Sequence, residues 1–288
     1  MEYLAPAKIN LSLRVLHRRE DGFHDIESII VPVSIFDRLE IAPRDDGGID
    51  FTCNEPDVPA DDTNLVVRAA SAFCDAFKIP HHLRIGLHKG IPHGAGLGGG
   101  SSDAAATLLA LDRIFATKAP RETLHRLASD IGSDVPFFLD RSAARVTGRG
   151  ESVMPADFPH ALPLLLVKPP FGVPTPWAYR QWRDSREIPG VLYDAQEFEW
   201  GTLVNDLERP VFEKYVFLAQ LKMWLLAQPE VAGALMSGSG ATVFAVLREK
   251  SGSDPLRARL TQEFGTGLWW HVAETLRAGN FPTNNFPA

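Results

Sequence analysis

The sequence predicts two modest domains that each mix strands and helices. The first observation is length, because 288 residues exceed what most single hydrophobic cores contain. The second is the succession of segments with strand-like alternation and segments with helical spacing. The third is the stretch at 148–160, rich in glycine, proline and acidic residues, where we place the domain boundary. The expected domains are residues 1–155 and 156–288.

The composition is that of an ordinary globular protein, with 45% hydrophobic and 23% charged residues. The net charge of −7 argues against a nucleic-acid interface and against a polybasic membrane surface. No apolar run approaches the roughly 20 residues that span a bilayer, and the N-terminus lacks a signal-peptide pattern. We therefore expect a cytoplasmic protein, a monomer or weak homodimer, whose partner is a small molecule rather than nucleic acid or a membrane.

In the first half, residues 7–16 alternate between apolar and polar side chains, which predicts a half-buried strand. Lys8 and Asn10 share its polar face. Asp62 or Thr63 is the expected cap of the next helix. The further predicted strands are 26–35, one ending near residue 41, 49–53, 82–88 and 143–147, and the predicted helices are 63–77, 101–115 and 120–131.

In the second half, residues 162–167 form an apolar run typical of a buried strand. A small-residue loop at 237–240 precedes a second strand, expected at 242–247. Residues 279–288 have the polar and proline content of a loose tail. The predicted helices are 177–182, 204–208, 212–227 and 255–264.

The segment Pro92–Asp103 (PHGAGLGGGSSD) is the strongest functional signal, because five glycines in its seven central residues remove side chains where a ligand must meet the backbone. Ser101 and Ser102 then open an alanine-rich helix, whose free N–H groups and dipole favour an anion. Triphosphate is the natural ligand. A flexible linker is the alternative, but a linker is not expected between a strand and a capped helix.

Three nucleotide-binding classes use glycine loops. A P-loop requires a lysine, and there is none between Gly90 and Ser102. The protein-kinase triplets H-R-D and D-F-G do not occur in the sequence. Gly94, Gly96 and Gly99 satisfy the dinucleotide pattern G-x-G-x-x-G, but the next predicted element is a second helix rather than a strand. An NAD-binding oxidoreductase is therefore the weaker alternative.

The whole loop resembles motif 2 of the GHMP kinases, P-x-G-x-G-L-G-x-S-S, and the form GLGGGSSDAAA resembles the branch that phosphorylates a cytidine-diphosphate-linked sugar alcohol in non-mevalonate isoprenoid synthesis. The resemblance extends from Ala5 to about Leu247. It implies a two-domain α+β fold, with a first domain like ribosomal protein S5 domain 2 and a ferredoxin-like second domain. It also implies ATP and Mg²⁺, with the metal ligands open among Ser101, Ser102 and Asp103.

Two further segments resemble catalytic motifs of that family. Residues 5–11 (APAKINL) resemble motif 1, and 132–138 (GSDVPFF) resemble the segment that carries the catalytic aspartate. The resemblance implies that Asp134 is the base and that Lys8 keeps it ionised. From the residues alone, periodicity favours a solvent-facing polar side chain of an edge strand for Lys8, and Asp134 is equally a helix N-cap.

The nucleotide site is completed by residues 237–244 (SGSGATVF), which resemble motif 3, the loop that closes over the phosphates. An ordinary turn before a strand is the alternative. The expected nucleotide-binding residues are Asn64, Pro92, Gly94, Gly96, Leu97, Gly98, Gly99, Gly100, Ser101, Ser102, Asp103, Ser237, Gly238, Ser239 and Gly240.

The acceptor site is implied by residues 21–24 (DGFH) and 174–179 (PTPWAY), which resemble the two sides of a cytosine sandwich. Phe23 replaces the tyrosine usual in the family, so ring stacking is kept and the phenol hydrogen bond is lost. Trp177 is an alternative to Tyr179 in the sandwich, or a core residue. The expected substrate-binding residues are Asn10, Phe23, His24, Asp134, Thr175 and Tyr179.

Two alternatives stay within this fold. One is a GHMP kinase that acts on mevalonate, homoserine or a sugar, which shares the ATP loop but not the aromatic clamp. The other is a non-catalytic nucleotide-binding regulator. The presence of both Lys8 and Asp134 argues against a decayed active site.

Overall fold

The computed structural model describes residues 2–277, so the tail expected at 279–288 lies outside the described residues. Among residues 2–277, none of the helices is long and apolar enough to cross a membrane. The elements of the first half are β1 (Glu2–Arg18), β2 (His24–Pro43), β3 (Ile49–Cys53), α1 (Leu65–Phe77), β4 (Leu83–His88), α2 (Gly99–Phe115), α3 (Arg121–Ile131), α4 (Val135–Leu139), β5 (Ala144–Gly148) and β6 (Ser152–Pro155).

The second half adds strands and helices in a less regular order, and a short 3₁₀ helix at Lys250–Gly252. Its other elements are β7 (Pro163–Lys168), α5 (Thr175–Gln181), β8 (Gln196–Phe198), β9 (Gly201–Asn205), α6 (Glu208–Lys214), α7 (Val216–Leu226), β10 (Val231–Met236), β11 (Val243–Leu247), α8 (Ser253–Phe264) and β12 (Trp269–Glu274).

Two sheets organise the described chain. The larger has eight strands, with β3-β4-β2-β1-β9-β8 in order, β5 paired with β2, and β6 paired with β5. The smaller has four strands in the order β10-β11-β7-β12. Strands β8 and β9 come from the second half of the chain, yet they extend the larger sheet beside β1. The domain boundary at 155/156 stays a prediction.

Three clusters of buried apolar side chains hold these layers together. One joins helices α1 to α4 to the larger sheet, and a second joins helices α5 to α8 to the smaller sheet. The third contains Ile9 of β1, Leu97 of the glycine loop and Phe244 of β11, so it lies where the two sheets and the loop meet. Burial of Leu97 therefore anchors the glycine loop at this junction.

β1 is more deeply buried than its alternating pattern predicts. Lys8 and Asn10, on the face expected to be polar and half exposed, are 5% and 4% exposed. The glycine loop covers this face, and the Lys8 backbone N–H donates to the Leu97 carbonyl at 2.9 Å. Two buried polar side chains inside a strand require polar partners, which makes this segment a candidate site.

Several predicted elements are wrong in detail. The helix expected at 204–208 is instead the end of strand β9, because Val204 pairs in parallel with Ser12 of β1, and the helix begins at Glu208. The helix expected at 212–227 is two helices that meet at Tyr215. The strands expected at 26–35 and ending near 41 are one continuous strand, β2.

Two helix starts also differ. The cap of α1 is Asn64 rather than Asp62 or Thr63, since the Asn64 Oδ1 accepts from the Val66 N–H at 2.8 Å. Helix α2 begins at Gly99, two residues before the expected Ser101, because the glycines of the loop already take the helical conformation.

Candidate active site

A cleft of about 380 Å³ runs between the glycine loop, β1, the start of α4 and the loop that follows β10. Most of the expected site residues meet there although they come from distant parts of the sequence. Those that line the cleft are Lys8, Asn10, Asn64, Pro92, Gly94, Gly96, Leu97, Gly98, Gly99, Gly100, Ser101, Asp103, Asp134, Thr175, Tyr179, Gly238 and Ser239.

Five expected residues lie outside this lining. Ser237 and Gly240 pack against the back of the glycine loop at Gly96, and Ser102 is buried in the first turn of α2. His24 stacks on Tyr179 at the margin of the cleft, with 5.7 Å between ring centroids. Phe23 is 53% exposed, and its ring faces the Arg149 guanidinium at 5.1 Å.

The glycine loop has a backbone that few other residues could adopt. Gly96 and Gly98 have φ angles of 74° and 70°, in the left-handed region. A Cβ on Gly96 would meet the Gly240 carbonyl oxygen at 2.9 Å, and one on Gly98 would meet the Phe138 ring at 2.8 Å. Because the loop leads directly into α2, the first-turn N–H groups of that helix face the cleft as ready donors for an anion.

Lys8 and Asp134 form the charged pair of the cleft. The Lys8 Nζ donates to the Asn10 Oδ1 at 2.7 Å and lies 4.0 Å from the Asp134 Oδ2. Burial lowers the pKa of Lys8, and the negative charge of Asp134 opposes that shift. Asp134 occupies the N-cap position of α4, but its side chain makes no capping hydrogen bond, and it is 43% exposed to the cleft. The carboxylate is therefore free to meet a ligand.

Asn10 is held in one orientation by a chain of hydrogen bonds. Its Nδ2 donates to the Ser28 Oγ at 2.8 Å, and the Ser28 hydroxyl donates to the Ser12 carbonyl at 2.5 Å. The Asn10 carbonyl oxygen must then face Lys8. Ser28 was not among the expected residues. The signal that could have found it is a single small polar residue between Ile26 and Ile30 in a buried strand.

A second charge cluster is buried at the start of α2, and two of its members, Lys89 and Asp103, also line the cleft. The Lys89 Nζ contacts Asp37 and lies 2.8 Å from the Asp103 Oδ2. The Asp37 Oδ1 accepts from the backbone N–H groups of Gly90 at 2.7 Å and Ile91 at 2.8 Å. The cluster thus joins β2, the end of β4 and the first turn of α2. Sequence reasoning missed Asp37 and Lys89, although a charged residue within an apolar strand was a visible signal.

Burial and mutual attraction shift the pKa values of Asp103 and Lys89 within this cluster. Burial raises the pKa of Asp103 well above its usual range, against the attraction of the Lys89 ammonium. Burial alone would lower the pKa of Lys89, but the two carboxylates together raise it. The Asp103 Oδ1 and the Ser102 Oγ are buried without a hydrogen-bond partner in the described chain. These two atoms are unused polar groups at the helix N-terminus.

A bound Mg²⁺ would need only one or two ligands from the protein. In the part of the chain that the structure describes, there is no group of three or more His, Cys, Asp or Glu side chains able to hold a metal ion. Mg²⁺ in kinases takes one or two protein ligands and completes its shell with phosphates and water. The unpartnered oxygens of Ser102 and Asp103 fit that limited demand.

The loop at 237–240 forms the opposite wall. The Ser237 Oγ donates to the Gly96 carbonyl at 2.9 Å, and the Ser239 and Thr175 hydroxyls are 2.7 Å apart. Asn205, another residue that sequence reasoning missed, donates from Nδ2 to the Gly238 carbonyl at 2.8 Å. The loop is thereby tied to the glycine loop, to α5 and to β9.

The aromatic end of the cleft is formed by α5 and the start of β2. Burial raises the pKa of the Tyr179 hydroxyl, and the nearby Asp134 charge adds to the shift. Burial also lowers the pKa of His24, with a smaller contribution from Arg18, so its imidazole is neutral near pH 7. Trp177 packs on Tyr215 and Lys214 and does not line the cleft.

Asn64 combines two structural hydrogen bonds with its place at the edge of the cleft. Its Oδ1 caps α1, and its Nδ2 donates to the Pro59 carbonyl at 2.7 Å. Both groups are therefore occupied, and the side chain holds the loop before α1 against the cleft.

The fold and this cleft define a class of protein. Family models for the GHMP kinases N terminal domain and the GHMP kinases C terminal region match residues 64–141 and 194–266. Together the two matches cover more than half of the chain, so this chain belongs to the GHMP kinase family of small-molecule kinases. The expected two-domain GHMP kinase fold is confirmed, and the membership favours a kinase over an NAD-binding oxidoreductase.

Individual relatives indicate which kind of GHMP kinase this chain is most similar to. The 4-diphosphocytidyl-2-C-methyl-D-erythritol kinase of Methylacidiphilum infernorum (isolate V4) is 44% identical, over 94% of this chain and 96% of that protein. The protein of the same name from Chlorobaculum parvum is 38% identical, over 90% of this chain and 93% of that protein.

Solved structures agree with the sequence relatives. A crystal structure of 4-(cytidine 5'-diphospho)-2C-methyl-D-erythritol kinase has a TM-score of 0.77 and 36% identity, covering 95% of this chain and 99% of that chain. A homoserine kinase from Cytophaga hutchinsonii has a TM-score of 0.67 at 17% identity, covering 96% of this chain and 94% of its own. At that identity the second likeness shows the fold alone.

Proposed function

We propose that this chain is an ATP-dependent kinase that phosphorylates the C2 hydroxyl of 4-diphosphocytidyl-2-C-methyl-D-erythritol in non-mevalonate isoprenoid precursor synthesis. The observation that carries the proposal is that Lys8 and Asp134 line one cleft with the glycine loop and with Tyr179, on which His24 stacks at the margin. The full-length similarity to kinases of that name supports the choice of acceptor.

ATP lies along residues 92–102 in this proposal. Its phosphates accept hydrogen bonds from the loop and from the first turn of α2, and the 237–240 loop forms the second wall. When bound, Mg²⁺ supplies positive charge that offsets the charge of the phosphoryl group during transfer. The candidates to hold it are Ser101, Ser102 and Asp103, of which Ser102 and Asp103 have unused oxygens.

The acceptor hydroxyl is activated by Asp134, whose carboxylate takes the proton as the hydroxyl oxygen bonds to the γ-phosphorus and ADP leaves. The Lys8 ammonium lies 4.0 Å from the Asp134 carboxylate and offsets the negative charge of the transferring group. Phosphoryl transfer requires little covalent work from the protein, so the placement of these groups matters more than their basicity.

The cytidine end of the acceptor is held by Tyr179, His24 and Phe23. The neutral imidazole of His24 has one donor and one acceptor, which suits the mixed hydrogen-bonding edge of cytosine. Tyr179 supplies an aromatic face, and Phe23 supplies the other when a base enters. Thr175, at the start of α5, lies between this end and the 237–240 loop. The expected setting is the cytoplasm, with the chain a monomer or weak homodimer.

The test is ADP release, measured by a coupled assay with ATP, Mg²⁺ and one acceptor at a time. The acceptors are the cytidine compound, mevalonate, homoserine and galactose. The proposal expects ADP with the cytidine compound alone, and free CDP should compete. Release with another acceptor instead would retain the kinase and reject the cytidine clamp, while no release with any acceptor would reject the kinase.

A further inference from the structure

Asn205, the last residue of β9, is a buried amide whose hydrogen-bonding groups are fully engaged. Its Nδ2 donates to the Met236 carbonyl at 2.7 Å and to the Gly238 carbonyl at 2.8 Å. Its Oδ1 accepts from the Leu207 N–H at 2.9 Å. An amide with two donors and one acceptor satisfied has a single stable orientation, so this side chain is a rigid connector.

Through Gly238, Asn205 is linked to the Lys8–Asp134 pair. Gly238 lies so close to it that a Cβ placed on this residue would be 3.3 Å from the Lys8 Nζ and 3.4 Å from the Asn10 Oδ1. The position of the Gly238 peptide therefore decides how much room is left around the Lys8 ammonium. Asn205 holds that peptide by its carbonyl oxygen.

The other end of the connector is equally fixed. Asn205 is paired in parallel with Leu13 on β1, the strand that also carries Lys8 and Asn10. The peptide before the loop is held a second time, because the Met236 N–H donates to the Glu208 Oε1 at 2.9 Å. The Glu208 carboxylate is itself paired with the buried Lys222 at 2.6 Å.

We propose that Asn205 is a positioning residue for phosphoryl transfer, which sets the distance between the 237–240 loop and the Lys8–Asp134 pair through the Gly238 carbonyl. This inference rests on the proposed function. Asn205 acts through the loop, and its two donors hold the loop in the register that leaves space for the transferring group. Misplacement by about 1 Å can reduce turnover about 100-fold, so the effect is measurable.

The direct test is Asn205→Asp. The substitution keeps the size of the side chain and the acceptor for Leu207, and it replaces both donors with an oxygen that faces two carbonyl groups. We expect kcat for the cytidine substrate to fall about 100-fold, while the Kd for CDP, from calorimetric titration, stays within about twofold of wild type. Asn205→Ala introduces no charge, and we expect about a tenfold loss of kcat with the same unchanged CDP affinity.

The matched control is Leu225→Ala. Leu225 is fully buried in α7, in the apolar cluster that also contains Met236 and Ala241 on either side of the loop. We expect this variant to lose thermal stability but to keep kcat and the Kd for CDP. Amide hydrogen exchange supplies a readout independent of turnover: protection of residues 236–240 should fall in both Asn205 variants and stay normal in the control.

Three results would overturn the inference: kcat within about twofold of wild type in the Asn205 variants, an equal loss of kcat in Leu225→Ala, or unchanged exchange of residues 236–240. Failure of the proposed function has a different signature, because wild-type protein would then release no ADP with the cytidine substrate. In that case the exchange comparison alone decides whether Asn205 positions the loop.

Discussion

The ammonium group of Lys8 is buried, and two neighbouring side chains stabilise its charge. The Asn10 carbonyl oxygen accepts its hydrogen bond at 2.7 Å, and Asp134 supplies the opposite charge at 4.0 Å. Burial favours the neutral amine, and the carboxylate favours the charged form. The charged form of Lys8 should therefore be sensitive to loss of Asp134.

Asp134→Asn and Lys8→Ala should each reduce kcat by about 10²–10⁴-fold, because each removes a group that acts on the reacting atoms. ADP affinity should remain nearly intact, since the phosphates are bound by the loop backbone. Coupled ADP release gives kcat and calorimetric titration gives the Kd for ADP. Near-normal turnover in either variant would mean that its assigned role is wrong.

Asp103→Asn should change the pH dependence of stability. Burial raises the pKa of Asp103 in the folded protein, so its protonated form stabilises the fold at low pH and that stabilisation is lost as pH rises through the folded pKa. Asparagine does not titrate. We therefore expect wild type to lose stability relative to Asp103→Asn as the pH rises above about 4, the pKa of an Asp side chain in the unfolded chain, measured by urea unfolding. A difference that stays constant, or reverses, would contradict this account of the cluster.

The types of residue that form the site were largely predictable from the sequence, whereas their hydrogen-bond and ion-pair partners were not. A polar strand face, a glycine run and an isolated aspartate before a proline are visible in one sequence. The contacts that hold them, such as Ser28 with Asn10 or Asp37 with Lys89, join residues far apart along the chain. Such pairs depend on how β1, β2 and β4 align, which one sequence does not reveal.

Helix α2 and the loop before it form the element on which the site depends. The helix carries an alanine-rich face, including Ala104 and Ala105, that is buried in the core of the larger sheet. Small side chains let the helix approach β1 closely, which brings the glycine loop over Lys8. The loop leaves no room for a side chain at Gly98, because a Cβ there would collide with Phe138 and Lys8.

Gly98→Ala should therefore do more damage to the site than the strain of its backbone conformation alone would cause. The left-handed φ of 70° costs about 1–2 kcal/mol for alanine, and the Cβ would also meet Phe138 at 2.8 Å and Lys8 at 3.0 Å. Gly190→Ala is the matched control, with a φ of 82° and nothing within 4 Å of its Cβ. We expect at least a tenfold loss of kcat only for Gly98→Ala, measured beside urea unfolding of both variants. Equal kcat values in the two variants would show that the loop tolerates displacement.

Elements with long periodic patterns were predicted well, and short ones were not. Helices α1, α3 and α8 lie within two residues of their expected bounds. Residues 204–208 were expected to be helical, but Val204 and Asn205 add to β1 as a parallel strand. A three- to five-residue segment has no periodicity of its own, so the neighbouring strand decided its structure.

The whole molecule places the cleft where its two sheets meet. The family models cover residues 64–141 and 194–266, yet the cleft also takes Lys8 and Asn10 from β1. The fold was predictable from the resemblance of several motifs taken together. The exchange of β8 and β9 into the larger sheet was not predicted, because no local pattern indicates which sheet a short strand joins.

A cleft with separate ends should bind two ligands independently. ADP is expected at the glycine loop and CDP at the His24–Tyr179 end, so each should raise the melting temperature alone and the two together should raise it further. A ligand at 100 times its Kd stabilises the folded state by about 2.7 kcal/mol. Differential scanning calorimetry at saturating ligand measures this effect. Stabilisation by ADP without any response to CDP would contradict a cytidine site.

The chemistry of the whole account is tested most directly by ³¹P NMR of a reaction that contains the protein, ATP, Mg²⁺ and 4-diphosphocytidyl-2-C-methyl-D-erythritol. We predict one new phosphomonoester resonance that grows in equal amount with ADP, while the diphosphate signals of the cytidine compound keep their intensity. Appearance of inorganic phosphate in place of the monoester, or no consumption of ATP, would contradict the account.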